Sequence, residues 1–218
     1  MKKFALIKFL LLLVFLPVFS MAKDLSSVQT VGIRMGFWNA LKAHKIQNTP
    51  EQEITSKETA PYAELFISPG LKKGFALEFS FGSCYRGETR YHDLYGFYWK
   101  KVTVYPVSGG VKFYPFSSVK NYRWQPYTHI GFAFITGVEE IRLGEYRGSS
   151  ILIQEGTNTY TTLGWQAGLG MDVVLSRFWV IDADFKYRGV KFNDEVGGLK
   201  NFSGPQFTLG VSYVLKGI

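Results

Sequence analysis

Hydrophobic residues recur at every second position over most of the chain after residue 28, and this is the period of a β-strand. In residues 205–214, for example, Phe207, Leu209 and Val211 alternate with polar or small residues. The pattern predicts eight strands, each with one apolar face and one polar or small face. They cover about 28–38, 62–68, 75–86, 103–114, 126–136, 162–174, 179–189 and 205–214.

Two of these strands fit the pattern least well. The strand at 62–68 is short and places Phe66 on its polar face. The strand at 103–114 contains Pro106, which cannot donate a ladder hydrogen bond and therefore suggests a bulge or a change of register.

The connections between the predicted strands alternate in length. Short ones cover 69–74, 115–125 and 175–178, and long ones cover about 39–61, 87–102, 137–161 and 190–204. In an up-and-down antiparallel barrel every second connection lies at the same end, so one end carries tight turns and the other long loops. Bacterial outer-membrane barrels have this asymmetry. The third long loop contains several Ile and Leu residues, which either extend the strands above the membrane or form a surface that contacts a partner.

The size of the side chains indicates which face lies inside. A barrel of eight strands has an interior only wide enough to be filled by side chains, and the polar face is rich in Gly, Ala and Ser. A soluble, lipocalin-like barrel would instead expose Lys and Glu on its outer face, where this chain has bulky apolar residues. We therefore predict an all-β fold, an eight-stranded antiparallel up-and-down transmembrane β-barrel. Residues expected to face lipid include Phe79, Phe81, Val111, Phe132, Leu169, Phe185 and Leu209.

Aromatic residues near both strand ends add to this picture, because membrane barrels carry aromatic girdles at both interfaces. The loop-end set is Phe37, Tyr85, Tyr105, Phe134, Trp165 and Tyr187, and the turn-end set is Phe75, Phe113, Tyr127, Trp179 and Tyr213.

The predicted interior carries charges of both signs in equal number. Its cations are Arg34, Arg86, Lys112, Lys186 and Arg188, its acids are Glu64, Glu78, Asp172, Asp182 and Asp184, and His129 lies beside them. Buried charges are costly unless they are paired, which favours a structural plug of ion pairs. The alternative is a polar path or gate for small solutes.

The first 22 residues have the pattern of a cleaved secretory signal peptide: a basic start with three Lys, an apolar segment from Phe9 to Phe19, and small residues at 20–22. The alternative, an uncleaved anchor, is disfavoured because this apolar segment is too short to span a bilayer. The mature chain, residues 23–218, is then one barrel domain. Removing three of the 25 basic residues leaves 22 against 17 acidic ones, a net charge of +5 that is too small to indicate nucleic-acid binding. The single Cys84 excludes an intramolecular disulfide framework.

Signals for chemistry are weak. His92 and Asp93, with Ser149 or Ser150, could assemble at the rim for hydrolysis or acyl transfer, although nothing in their spacing requires it. His44, His92 and His129 lack the spacing of metal ligands. We expect no catalytic residues, metal or cofactor.

The segments GGVKFYPF (109–116), PYTHIGFAF (126–134), GWQAGLGMDVVLSRFWVIDADFKYR (164–188) and FTLGVSY (207–213) together resemble the small outer-membrane β-barrels of the OmpA/OmpW/OmpX type. The resemblance implies a location in the outer membrane of a Gram-negative bacterium. It also implies contact with outer-membrane lipids and lipopolysaccharide, and insertion by periplasmic chaperones and the barrel-assembly machinery. Such proteins usually end on an aromatic residue of the last strand, whereas this chain continues past Tyr213 to Ile218.

The expected role is therefore a non-enzymatic, porin-like barrel that is structural or forms a narrow path for small, in OmpW-like members hydrophobic, molecules. Surface interaction through the long loops is one alternative. A barrel enzyme that modifies lipid A is the other.

Overall fold

The structure is a computed structural model that describes residues 28–40, 52–56, 59–72, 74–92, 94–117, 123–147 and 150–215. The predicted signal peptide lies outside these residues, as do Asp93 and Ser149. Twelve strands form in the described part of the chain. They are β1 (Gln29–Asn39), β2 (Gln52–Ser56), β3 (Thr59–Ser68), β4 (Gly70–Lys72), β5 (Phe75–His92), β6 (Gly96–Phe113), β7 (Trp124–Arg147), β8 (Ser150–Val174), β9 (Trp179–Gly189), β10 (Lys191–Val196), β11 (Leu199–Asn201) and β12 (Gly204–Leu215).

Eight of these strands close into an antiparallel barrel. The order around the ring is β3-β1-β12-β9-β8-β7-β6-β5, and β5 pairs with β3 to complete it. The first strand is therefore held between β3 and the last strand, with Arg34 opposite Glu64 on one side and Gly210 on the other. This arrangement confirms the predicted eight-stranded, up-and-down barrel. No helix in the described part of the chain has the length and apolarity needed to cross a membrane.

The strands β5 to β8 are much longer than predicted. The expected long loop at 87–102 is wrong, because these residues continue the β5–β6 ladder almost to its tip. At 137–161 the alternative of strands that extend above the membrane is confirmed as far as pairing goes, because the β7–β8 ladder continues to Arg147 and Ser150. β7 and β8 alone pair from Trp124 with Val173 up to Arg147 with Ser150. A strand needs only about 9–11 residues to cross a membrane. The surplus forms a sheet that continues beyond the ring, and we call it the extended sheet (residues 87–92, 96–103, 137–147 and 150–162).

The bulge predicted at Pro106 lies elsewhere. Pro106 is opposite Ile135 in an unbroken ladder, and β6 keeps its register with β5 from Phe113 to Thr103. The register instead changes between Tyr85 and Gly87, and Gly87 adopts a positive φ of 121° that favours glycine.

The connection at 190–204, predicted as a long loop, contains the hairpin of β10 and β11. Its turn uses Gly197 and Gly198, both with positive φ. The side chains of Phe192, Val196 and Leu199 are buried, as is Phe202 just after the hairpin. The hairpin therefore packs its apolar residues against the interior of the barrel.

Candidate functional site

The centre of the barrel is organised around Arg34. Its guanidinium lies 2.6 Å from an oxygen of Asp182 and 2.7 Å from one of Glu78. A third carboxylate, Glu64 on the neighbouring strand, lies at 3.0 Å. Gly210, opposite Arg34 on β12, leaves room for this side chain, since a Cβ there would lie 2.6 Å from Arg34 Cγ.

Three further cations complete this cluster. Lys186 Nζ lies 2.8 Å from Asp184 and 3.4 Å from Glu64. Lys112 Nζ lies 2.8 Å from Glu78, on a neighbouring strand. Ion pairs of 4 Å or less thus connect eight residues, which we call the ionic cluster: Arg34, Glu64, Glu78, Lys112, Asp182, Asp184, Lys186 and Arg188.

Aromatic rings fill the space around the cations. The Arg34 guanidinium lies over Phe66, and Lys112 Nζ lies 4.1 Å from the centre of the Tyr127 ring. Tyr62 donates its hydroxyl hydrogen to Glu64 at 2.7 Å and accepts one from Arg188 at 3.0 Å. These contacts explain why Phe66 occupies the polar face of β3, where it supports a buried cation.

The ionic cluster is balanced, with four cations and four carboxylates, and every one of its residues is buried. Pairing offsets the cost of removing these charges from water, and removing one partner leaves another buried and uncompensated. The ion pairs connect side chains of β1, β3, β5, β6 and β9 across the interior of the barrel.

Three of the predicted interior residues lie outside this cluster. Asp172 accepts a hydrogen bond of 2.8 Å from the Tyr114 hydroxyl and forms no ion pair within the described part of the chain. Arg86 donates to the Trp38 carbonyl at 3.0 Å and lies over the Trp38 ring. His129 is buried opposite Lys112 on β6.

Apolar layers lie on both sides of the ionic cluster, and the alternation of residues along the chain predicts neither of them. The upper layer, on the side of the long connections, consists of Trp38, Ala60, Tyr62, Cys84, Val102, Val104, Ala133, Ile135, Val190, Phe192, Val196, Leu199 and Phe202. The lower layer, near the tight turns, consists of Val28, Ala76, Tyr114, Tyr127, Val174, Val180 and Val214. The buried location of Tyr127 corrects the sequence interpretation, because this ring belongs to the interior and not to an outer girdle.

The outer surface of the ring is apolar. The seven residues predicted to face lipid all point outward, with exposed fractions from 36% at Val111 to 74% at Phe132. Other outward rings form pairs near the strand ends, such as Trp165 with Tyr187 and Trp179 with Tyr213. A surface of this kind is suited to hydrocarbon rather than to water.

The outer surface of the extended sheet carries charged side chains, unlike the outer surface of the ring. Lys101 on β6 lies 3.3 Å from Glu140 on β7, and Arg142 on β7 lies 3.0 Å from Glu155 on β8. The Arg142 guanidinium also lies over the Trp99 ring. This change from apolar to paired charged side chains indicates that the extended sheet lies in water.

The candidate enzyme residues do not form a catalytic arrangement in the described part of the chain. His92 Nε2 lies 2.9 Å from the hydroxyl of Tyr146, and Ser150 pairs with Arg147 at the tip of the β7–β8 hairpin. One group of carboxylates, Glu64, Glu78 and Asp184, is compact enough to hold a metal ion. Arg34 and Lys186 already contact these carboxylates, so the site is neutralised by the protein itself.

Comparison with solved structures identifies the fold. The chain is similar to the outer membrane protein OprG of Pseudomonas aeruginosa, with a TM-score of 0.53 and 15% identity over 87% of this chain and 96% of that one. It is also similar to Ail, the attachment invasion locus protein of Yersinia pestis, with a TM-score of 0.49 and 16% identity over 87% and 99% of the two chains. Neisserial surface protein A gives a TM-score of 0.47 and 12% identity over 86% and 96%.

No model of a protein family matches the chain, and no curated protein matches it. The fold is that of the small outer-membrane β-barrels. Within that fold, this chain combines a barrel filled by three layers of side chains with an extended sheet formed by four of its strands.

Proposed function

We propose that this protein is a closed, non-enzymatic barrel of the bacterial outer membrane that holds an extended β-sheet outside the membrane for contact with another protein. The observation that carries the proposal is the contrast between its two parts. The barrel interior is filled by the ionic cluster between two apolar layers, whereas β5 to β8 continue as paired strands far beyond the ring.

The length of the extended sheet supports a role outside the membrane. β8 pairs with β9 only as far as Trp165, and residues 150–164 continue beyond that point. At about 3.3 Å per residue, this is about 50 Å of strand. A membrane anchor alone needs no such extension.

The proposal includes the route to the membrane. We infer that residues 1–22 direct export, and that the barrel-assembly machinery then inserts the barrel into the outer membrane, where it contacts lipid and lipopolysaccharide. The apolar outer surface of the ring supports this location.

Cysteine labelling on intact cells tests the orientation. Thr157→Cys lies on the extended sheet and Ser176→Cys in the turn between β8 and β9, at the opposite end of the molecule. A membrane-impermeant maleimide should label Thr157→Cys and leave Ser176→Cys unlabelled. The native Cys84 is fully buried and should not react. Labelling of Ser176→Cys alone would contradict the proposed orientation.

Planar-bilayer recording tests the closed interior. The purified barrel should give no conductance steps above the lipid background. Stable steps would contradict the proposal and favour the narrow path for small molecules. An unchanged lipid A mass spectrum, with and without expression of the protein, is the result expected for a non-enzymatic barrel.

A further inference from the structure

One edge of the outer part of β8 pairs with no strand among the described residues, and we call it the unpaired edge. One side of this strand pairs with β7 along its whole length, whereas the other side pairs with β9 only from Trp165 onward. Next to that point the hydroxyl of Thr162 donates to the carbonyl of Lys191 at 2.8 Å. Among the described residues, no strand pairs with the other side of β8 between Ile151 and Thr161.

The ladder shows which backbone groups point to this edge. The N–H of Tyr146 on β7 donates to the carbonyl of Tyr95 at 2.8 Å, on the β6 side. Backbone groups alternate in direction along an antiparallel strand, so the adjacent residue Glu145 points to β8, where Leu152 lies opposite. In the outer part of β8, the backbone N–H and C=O groups of the even-numbered residues therefore form hydrogen bonds with β7. Odd-numbered residues direct their N–H and C=O groups to the unpaired edge, and they are Ile151, Ile153, Glu155, Thr157, Thr159 and Thr161.

This edge lacks the features by which proteins discourage strand pairing. Residues 150–162 contain no Lys and no Pro, and their single charged residue, Glu155, is paired with Arg142. The opposite side of the extended sheet differs, because β2, a strand of only five residues, pairs with β5 there. The sheet thus presents one short edge strand and one long one.

A cavity on the face of the extended sheet spans β6 and β7 and reaches the edge strand β8 at Leu152 and Gln154. It has a volume of about 340 Å³ and lies against the inner face of the extended sheet near its tip, where Tyr98, Leu143, Leu152 and Gln154 contribute to its walls. A strand added next to β8 would place every second side chain on this face. The walls are mainly apolar, so an apolar side chain fits best.

We propose that the outer edge of β8 binds an extended segment of another protein by strand addition, with an apolar side chain of that segment in the cavity beside Leu152. The inference rests on the proposed function, since it requires the extended sheet to lie outside the membrane. Backbone hydrogen bonds to the odd-numbered residues supply the binding energy, and the cavity supplies the selectivity.

The symmetry of a membrane argues against a second copy as the occupant. Two copies in one membrane are related by a two-fold axis along the membrane normal. The two β8 strands would then be parallel, and each would turn the same edge toward the axis. In a parallel sheet, by contrast, one strand pairs through one edge and its neighbour through the opposite edge. Two copies of β8 related in this way therefore do not meet the geometry of a parallel pair. A segment of a different chain has no such restriction.

Hydrogen exchange of the whole barrel in lipid nanodiscs tests the proposal. The probe is a synthetic peptide of about ten residues that alternates threonine and valine and carries one central leucine. Without the peptide, the amides of Ile153, Glu155 and Thr157 should exchange quickly and those of Gln154 and Gly156 slowly. With saturating peptide, the odd-numbered amides should exchange at least tenfold more slowly.

A proline variant separates strand addition from other modes of binding. Thr157→Pro removes an N–H that points to the unpaired edge and should weaken peptide binding at least tenfold, while the even-numbered amides stay protected. Thr157→Val keeps the N–H and should bind like the wild type. The exchange pattern of the wild-type protein decides the question even if the proline variant does not fold.

The outcomes separate the inference from the function on which it rests. If Thr157→Cys is labelled from outside the cell but the peptide does not bind, or binds without protecting the odd-numbered amides, strand addition is wrong and the proposed function stands. Concentration-dependent protection of these amides without peptide would show that a second copy is the occupant, and would overturn our choice of partner. If Thr157→Cys is shielded from the outside, the proposed function fails as well.

Discussion

The guanidinium carbon of Arg34 lies 3.7 Å from the centre of the Phe66 ring, inside the barrel. These residues come from adjacent strands, two positions apart in register, since Phe66 is opposite Gly32. The ring covers one face of the cation while carboxylates surround its edge. Phe66, which interrupts the polar pattern of its strand, therefore packs directly against the ionic cluster.

Replacing Arg34 should destabilise the barrel strongly. Arg34→Met keeps much of the side-chain volume but leaves Glu64, Glu78 and Asp182 without their shared cation. We expect the free energy of unfolding to fall by about 3–5 kcal/mol, the usual effect of breaking a buried ion pair. Urea titration of the barrel in detergent, followed by tryptophan fluorescence, measures this change. The outward variant Met35→Leu is the control and should unfold like the wild type; equal midpoints for all three proteins would contradict the central role of Arg34.

The neighbouring carboxylates Asp172 and Asp182 should respond differently to neutralisation. Asp182→Asn weakens a contact of 2.6 Å with Arg34 and should cost about 1.5–3 kcal/mol. Asp172→Asn keeps an oxygen that accepts the Tyr114 hydrogen bond and should cost about 1 kcal/mol or less. The same urea titration compares the two variants directly, because the residues lie opposite each other on β8 and β9. A larger loss for Asp172→Asn would show that the ionic cluster extends to that residue.

The upper apolar layer should be sensitive to truncation of Phe202. Phe202→Ala removes a fully buried ring that packs against Phe192 and should cost about 3–5 kcal/mol. Phe207→Ala is the matched control, because Phe207 points out of the barrel and half of its surface is already exposed. We expect it to cost at most about 2 kcal/mol. If both variants lost equal stability, the hairpin of β10 and β11 would not be packed in the barrel as described.

Replacement of Gly36 in the barrel and of Gly156 in the extended sheet should have different effects on stability. A Cβ on Gly36 would overlap the backbone carbonyl of Phe207 on the neighbouring strand, which cannot move without disturbing the ladder. Gly36→Ala should therefore cost about 1–3 kcal/mol. A Cβ on Gly156 meets nothing within 4 Å, so Gly156→Ala should change stability by no more than about 0.5 kcal/mol. Thermal unfolding, monitored by gel mobility with and without heating, checks this order, and a stable Gly36→Ala variant would contradict the close approach of β1 and β12.

The sequence was sufficient to predict the parts of the fold that follow from the alternation of apolar and polar residues along each strand. Alternation with a period of two placed Phe132 and Leu169 outside and Glu64 and Lys186 inside, because one face of a barrel strand is bulky and the other must fit a narrow interior. It could not predict which charges pair. Arg34 and Asp182 are 148 positions apart and meet only because β12 lies between their strands.

The sequence predicts part of the extended sheet only as one alternative for the third long loop and does not predict the hairpin of β10 and β11, because the residues of both carry no regular period. Residues 150–159 of β8 are exposed on both faces of the extended sheet, so polar residues occupy both sets of positions there and the apolar alternation disappears around residues 154–159. In the hairpin, Phe192, Val196 and Leu199 are spaced irregularly, since a short hairpin with a glycine turn buries side chains from both of its strands. Composition makes both segments similar to ordinary loops.

The register change at Gly87 has a further consequence for β5. Below it, odd-numbered residues such as Phe79 and Phe81 point outward; above it, Glu88 lies opposite Lys101 and accepts a hydrogen bond from Trp99 on the outer face. The one additional residue thus changes the outward-facing positions of β5 from odd-numbered to even-numbered, at the boundary between the apolar ring and the extended sheet. Deletion of Gly87 alone would place Arg86 opposite Val102 and leave Glu88 opposite Lys101 on the outer face. The additional residue therefore changes which numbered positions of β5 face outward, while the groups above it keep their partners on β6.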